Sequence, residues 1–123
     1  LVSRGLGDVY KRQRGAIAVV KNNEESIMSS SKKLINEILI NNAITENDIE
    51  YVIFTVTSDI TEAFPAKAFR ELGMTSIAAI DTLAPNINSD LSGCIRILIY
   101  LNKDLEEINH VYLDEAKKLR PDR

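Results

Sequence analysis

Two strand-length runs, YVIFTVT at residues 51–57 and CIRILIYL at residues 94–101, constrain this chain more than any other feature. Both are rich in β-branched and aromatic residues, which suit a pleated, buried surface. YVIFTVT shows little alternation, so both of its faces are expected to be covered. CIRILIYL is too short to span a membrane and is interrupted by Arg96. Between the two runs and ahead of them the periodicity changes. Ile27, Met28, Ser31, Leu34, Ile35, Ile38 and Leu39 recur at helical intervals, predicting a helix that starts at a cap made by Asn22 with Glu25 and ends near Asn41 and Asn42.

The remaining elements follow from local signals. RGAIAVV, from Arg14, reads as a first strand, and Thr45 to Ile49 as one capped turn. Pro65 suits the first turn of a helix through Ala66, Lys67, Phe69, Arg70 and Leu72, with Gly73 as its stop. Ser76 to Ile80 reads as a short strand, Leu105 to Ile108 as a short helix, and HVYL at residues 110–113 as a last strand. Residues 81–93, DTLAPNINSDLSG, are the one long connection, and long loops in compact domains tend to carry function. Strands alternating with helices, in a chain of 123 residues, predict one α+β domain. It is a mixed β-sheet packed against one long and one shorter helix.

The first thirteen residues stand apart. SRGLGDVYKRQ, from Ser3 to Gln13, matches the translation of a transposase adapter used in shotgun libraries. Residues 1–13 are therefore expected to be adapter-derived or disordered, with the domain proper at 14–123, although the last residues of the segment can continue the first strand in place of lost native ones. The GLG they contain is not a phosphate loop.

Several function classes drop out on chemistry. The single cysteine, Cys94, has no intramolecular disulfide partner, and His110 is the one histidine, with no neighbouring ligands in sequence for a metal. A reducing cytoplasm is expected. A net charge of −3 offers no broad basic face, so nucleic acid is not an expected partner and a small ligand is. There is no serine in a nucleophile elbow and no phosphate-binding loop after a strand. What remains is arginine on rigid elements. Arg96 in an apolar strand either pairs with an internal carboxylate, points to solvent from an edge, or faces a site that needs a cation. Arg14 opens the first strand of the domain, and Lys67 and Arg70 share one helix face. Forked, anchored guanidinium groups suit carboxylates.

Four separated segments then carry a resemblance. FPAKAFRELG at residues 64–73, CIRILI at 94–99, HVYLDEA at 110–116 and LRPD at 119–122 resemble, in order and at similar spacing, the signature segments of the small trimeric chorismate mutases. RGA at residues 14–16 fits as well. The resemblance implies a trimeric pseudo-barrel and the rearrangement of chorismate to prephenate, in aromatic amino-acid biosynthesis, without a cofactor or metal. One carbon–oxygen bond breaks while a carbon–carbon bond forms, so no nucleophile or proton shuttle is needed, and positioning with fixed cations supplies the catalysis.

The same resemblance implies roles. Arg96 would hydrogen-bond the ether oxygen and a substrate carboxylate, while Arg14 and Tyr112 would hold the side-chain carboxylate. Phe64 and Leu119 would wall the ring, Ala66 and Ile80 would also contact the substrate, and Lys67, Arg70 and Arg120 would add positive potential. The pocket would lie between neighbouring subunits of a homotrimer. The chain departs from the pattern at Ala84, where the family has a glutamate that accepts the ring hydroxyl, and at Asp81, where the family has an uncharged cysteine. Asp81 is expected to end up beside Arg96 at a strand exit and to take over from the missing glutamate, or else to serve as a turn former. Two other readings stay open: a trimeric small-molecule binder of the imine-deaminase type, and a catalytically impaired mutase homologue.

Overall fold

The structure is a computed structural model that describes residues 10–119. Five strands form one mixed sheet: β1 (Tyr10–Ala18), β2 (Ile49–Val56), β3 (Ala79–Leu83), β4 (Ile95–Leu105) and β5 (Val111–Asp114), in the order β3-β2-β4-β1-β5. The apolar run at residues 94–101 supplies the central strand, antiparallel to both β1 and β2. The short outer strands pair parallel to their inner neighbours, β5 to β1 and β3 to β2. Helix α1 (Glu24–Asn42) is the long helix and α2 (Lys67–Glu71) the short one.

Helix α1 buries the stripe its spacing predicts, Ile27, Met28, Ser31, Leu34, Ile35 and Ile38. Its cap is Asn23, one residue later than expected, with the Asn23 side chain accepting the Ser26 N–H at 2.7 Å. Asn22 instead ties the helix start to the loop after β2, accepting the N–H groups of Thr61 at 2.8 Å and Glu62 at 3.1 Å. Ala43, left-handed at φ 52°, closes the helix. The helix lies close on β1: a Cβ at Gly15 would stand 2.8 Å from Ile38 Cδ1 and 2.8 Å from the Val111 carbonyl oxygen, so only glycine fits without a shift.

Register assigns the faces, because residues opposite one another share a side. Val52, Phe54, Ile95, Ile97, Ile99 and Leu101 are buried beneath the helices. Thr55, Ile53 and Tyr51 face the other way, opposite Arg96, Leu98 and Tyr100, and this second face is only half-covered. The expectation that β2 is covered on both faces is thus not met within one chain, where Tyr51 stacks on Tyr100 at 5.1 Å and stays exposed. One end of the open face carries a small apolar cluster, Ala16, Ala18, Cys94 and Ala116, with Leu91 and Tyr112 against it.

Three boundaries differ from those expected. β1 starts at Tyr10 rather than Arg14, because the last residues of the segment set apart by sequence, 10–13, continue the first strand, the outcome allowed for them above. Gln13 is fully buried opposite Ile99, and among the described residues its amide oxygen and nitrogen have no hydrogen-bond partner. β3 runs over Ala79–Leu83, three residues later than Ser76 to Ile80, because parallel pairing with Val52–Val56 fixes it. No helix forms at Leu105 to Ile108: β4 continues through Leu105, which pairs with Tyr10.

Candidate active site

The residues that could meet a ligand fall into two concavities. The first, about 500 Å³, lies on the open face and is lined by Arg14, Ala16, Ile53, Thr55, Ala84, Pro85, Arg96, Leu98 and Tyr112 among others. Its floor follows from register: Arg96 lies opposite Ala16 on β1 and Thr55 on β2, and Tyr112 pairs with Ala16 from the other side. Three elements of one sheet therefore bring Arg14, Arg96 and Tyr112 together.

Arg96 is half-buried and resolves its choice of partner: Nη2 contacts Asp90 Oδ2 at 3.1 Å. Partial burial works against its charge, but the Cys94 thiol and the Asp90 carboxylate outweigh it, and the guanidinium is held above its usual pKa. Burial pushes the Cys94 thiol up, so it stays protonated beside the cation. Arg14 is exposed, and its backbone N–H donates to His110 Nδ1 at 3.0 Å, which pins β1 at the cavity rim. Ala84 lines this concavity without supplying a carboxylate. Asp90 arrives instead from the far end of the loop, and the sequence signal for it was weak, since an aspartate among Asn, Ser and Pro reads as a turn former.

The second concavity, about 390 Å³, is lined by Phe64, Pro65, Lys67, Asp81, Thr82 and Leu83 among others. Phe64 and Leu83, which line it, are exposed, and Ile80 is exposed on the opposite face of β3, where it pairs with Ile53. Lys67 Nζ pairs with Glu24 Oε2 at 3.2 Å, and Arg70 is exposed on the following turn. Within one chain Asp81 does not stand beside Arg96. It lies within β3, opposite Phe54, on the helix side of the sheet, and its Oδ1 accepts the Ala66 N–H at 3.1 Å where α2 begins. Desolvation raises its pKa, and the Ala66 hydrogen bond opposes the rise. The expected placement failed because β3 starts later than its propensities suggest, which turns Asp81 from a strand exit into a strand interior. Leu119 closes the C-terminal 3₁₀ turn, its side chain outside the described residues, as is the whole of Arg120.

Among the described residues there is no group of three or more His, Cys, Asp or Glu side chains able to hold a metal. Arginines carried on one sheet face and open to one side form an arrangement suited to a small anion. The chain belongs to the type I chorismate mutases: that family's model, described as Chorismate mutase type I, matches residues 11–123. It is 38% identical over 112 residues to chorismate mutase AroH of Thermus thermophilus, covering 89% of this chain and 92% of that protein. It is 32% identical over 112 residues to chorismate mutase AroH of Bacillus subtilis (strain 168), covering 89% of this chain and 88% of that one. A solved chorismate mutase from Clostridium thermocellum superposes with a TM-score of 0.85 at 38% identity, covering 89% of this chain and 99% of that chain.

Proposed function

We propose that this chorismate mutase, an isomerase, works as a homotrimer in which the Arg96 concavity of one subunit is closed by the Phe64–Asp81 wall of the next. The observation that carries the reading is the division of the site. Arg14, Arg96 and Tyr112 lie in one concavity, Phe64, Lys67 and Asp81 in the other, and Asp81 and Arg96 are on opposite sides of the sheet. A half-covered sheet face and the exposed Phe64, Ile80 and Leu83 are apolar surface that a second copy would bury.

In the closed site chorismate is held as a compact chair. Arg14 and Tyr112 bind its side-chain carboxylate, Phe64 and Leu119 wall the ring, Ala66 and Ile80 also contact the substrate, and Lys67, Arg70 and Arg120 draw in the dianion. Arg96 donates to the ether oxygen, whose negative charge grows as the carbon–oxygen bond breaks and the carbon–carbon bond forms, so the interaction strengthens in the transition state. Asp81 accepts the ring hydroxyl from the opposing wall without taking its proton. The buried thiol of Cys94 and the lack, among the described residues, of a helix able to cross a membrane support a cytoplasmic enzyme. Ala84 favours a second reading, an impaired homologue with the fold but little turnover.

Following chorismate loss by ultraviolet absorbance, with sedimentation on the same sample, tests both. Turnover by a trimer is expected. An active monomer would overturn the shared site, and an inactive trimer would establish the impaired homologue.

A further inference from the structure

The Asp90–Arg96 pair has features that a surface ion pair lacks. Both oxygens of Asp90 are engaged, Oδ2 by Arg96 Nη2 at 3.1 Å and Oδ1 by the Leu91 N–H at 2.8 Å. The next residue, Leu91, is seated against the apolar cluster of Ala16, Ala18, Cys94 and Ala116, which fixes where the carboxylate stands. Beyond it the chain is clamped. Val19 and Val20 donate to the Ser92 and Gly93 carbonyls at 3.0 and 2.9 Å, and the Gly93 N–H meets both oxygens of Asp59 at 3.2 and 2.9 Å. The other end of the loop is held by the Ala84 N–H on the Val56 carbonyl at 2.8 Å. The loop is therefore secured without the Arg96 contact, and a pair whose side chains are 43% and 29% exposed adds little stability. Its effect falls on Arg96, a long side chain with several rotamers on a half-open face.

We propose that Asp90 is the positioning residue for Arg96: it engages Nη2 from the loop side and aims the rest of the guanidinium fork across the concavity at the substrate. This rests on the reading of Arg96 as the cation at the ether oxygen. It also puts a carboxylate beside that cation although Ala84 supplies none, since the loop delivers one from six residues further on. A fork held at one nitrogen keeps donors on its other nitrogens, so positioning and substrate binding are compatible on one side chain. The alternative chemistry is competition, in which Asp90 occupies Arg96 and the substrate carboxylate must displace it.

The two diverge in Asp90→Asn, which keeps the shape and the acceptor for Leu91 but loses the charge on Arg96. Positioning predicts that kcat falls about tenfold with KM within about twofold, because a loosened cation is misplaced mainly in the transition state. Asp90→Glu should recover part of the loss. In an Arg96→Ala background the same change should cost nothing further, a readout that a merely structural role would not produce. Unchanged kcat, a lower KM with kcat kept or raised, or an equal loss in the Arg96→Ala background would each overturn the proposal. Absence of turnover in the unmodified enzyme would overturn the functional reading beneath it, so the two failures are told apart.

Discussion

Asp81 and Arg96 lie on opposite faces of one sheet, Asp81 opposite Phe54 and Arg96 opposite Thr55. Within a chain they do not act together, and Asp81 is tied instead to the Ala66 N–H. Its pKa is raised above 3.8, chiefly by desolvation. The sign follows: the folded state holds the protonated form better, so a stability cost absent below the unfolded value appears as pH rises through the folded one. Asp81→Asn should therefore melt at or slightly above the parent temperature at neutral pH, since the amide oxygen still accepts from Ala66. The same variant should lose kcat/KM if Asp81 meets the substrate hydroxyl, and adding Ala84→Glu should restore part of it. Full activity would leave Asp81 as a helix-start acceptor alone.

Arg96→Ala should lower kcat by at least about a hundredfold, the order seen for loss of one oxyanion donor. Arg96→Lys should recover little, because a single ammonium cannot contact the substrate and Asp90 in forked geometry. Melting temperatures should change little, since the side chain is half-exposed. Steady-state kinetics with chorismate decide it, and near-parental kcat in Arg96→Ala would make the residue structural.

Gln13 is 0% exposed beneath the helix layer, with neither amide atom partnered among the described residues. A buried amide without partners costs about 1–3 kcal/mol, which an apolar side chain of similar size would not. Gln13→Leu or Gln13→Met should raise the melting temperature by several degrees, with kcat unchanged. A fall in stability would mean that the amide has found partners after all.

The Asp59 clamp on Gly93 sets a pH dependence. The Thr57 hydroxyl, and after it the Gly93 N–H, outweigh desolvation and hold the Asp59 carboxyl below 3.8. The clamp's contribution is thus complete above 3.8 and is lost as pH falls through the lower folded value. The melting gap between the parent and Asp59→Asn should be full at neutral pH and close in acid. Gly93→Ala should be worse at every pH, because φ is +55° and a Cβ would stand 2.7 Å from the Val20 carbonyl oxygen. A cost of about 1–2 kcal/mol or more is expected from the left-handed backbone, measurable by urea unfolding.

Periodicity located the long helix and the central strand because both bury a continuous apolar face, and burial is what the pattern encodes. It failed where pairing overrides local preference. Lys11, Arg12 and Gln13 carry no strand pattern of their own and extend the first strand only because β4 is long enough to draw them into the sheet as far as Tyr10. Ser76 to Ala78 read as the start of a strand that forms only from Ala79, where β2 offers a partner. Arg14, Arg96 and Tyr112 were legible through the family segments and do converge in one concavity. Asp90 was not, since its role depends on where Leu91 seats and on the clamp at Gly93, and neither contact leaves a periodic trace.

In the proposed ring, with the site divided between two sides of the sheet, a chain ruined in one half still carries the other half intact. An Arg96→Ala chain keeps a sound Phe64 wall, and a Phe64→Ala chain keeps a sound arginine cradle. Unfolded together and refolded as mixed rings, two dead proteins should regain up to about a quarter of normal turnover, the share of boundaries at which the intact halves happen to meet. The enzyme would then behave genetically like two complementing functions encoded by one reading frame.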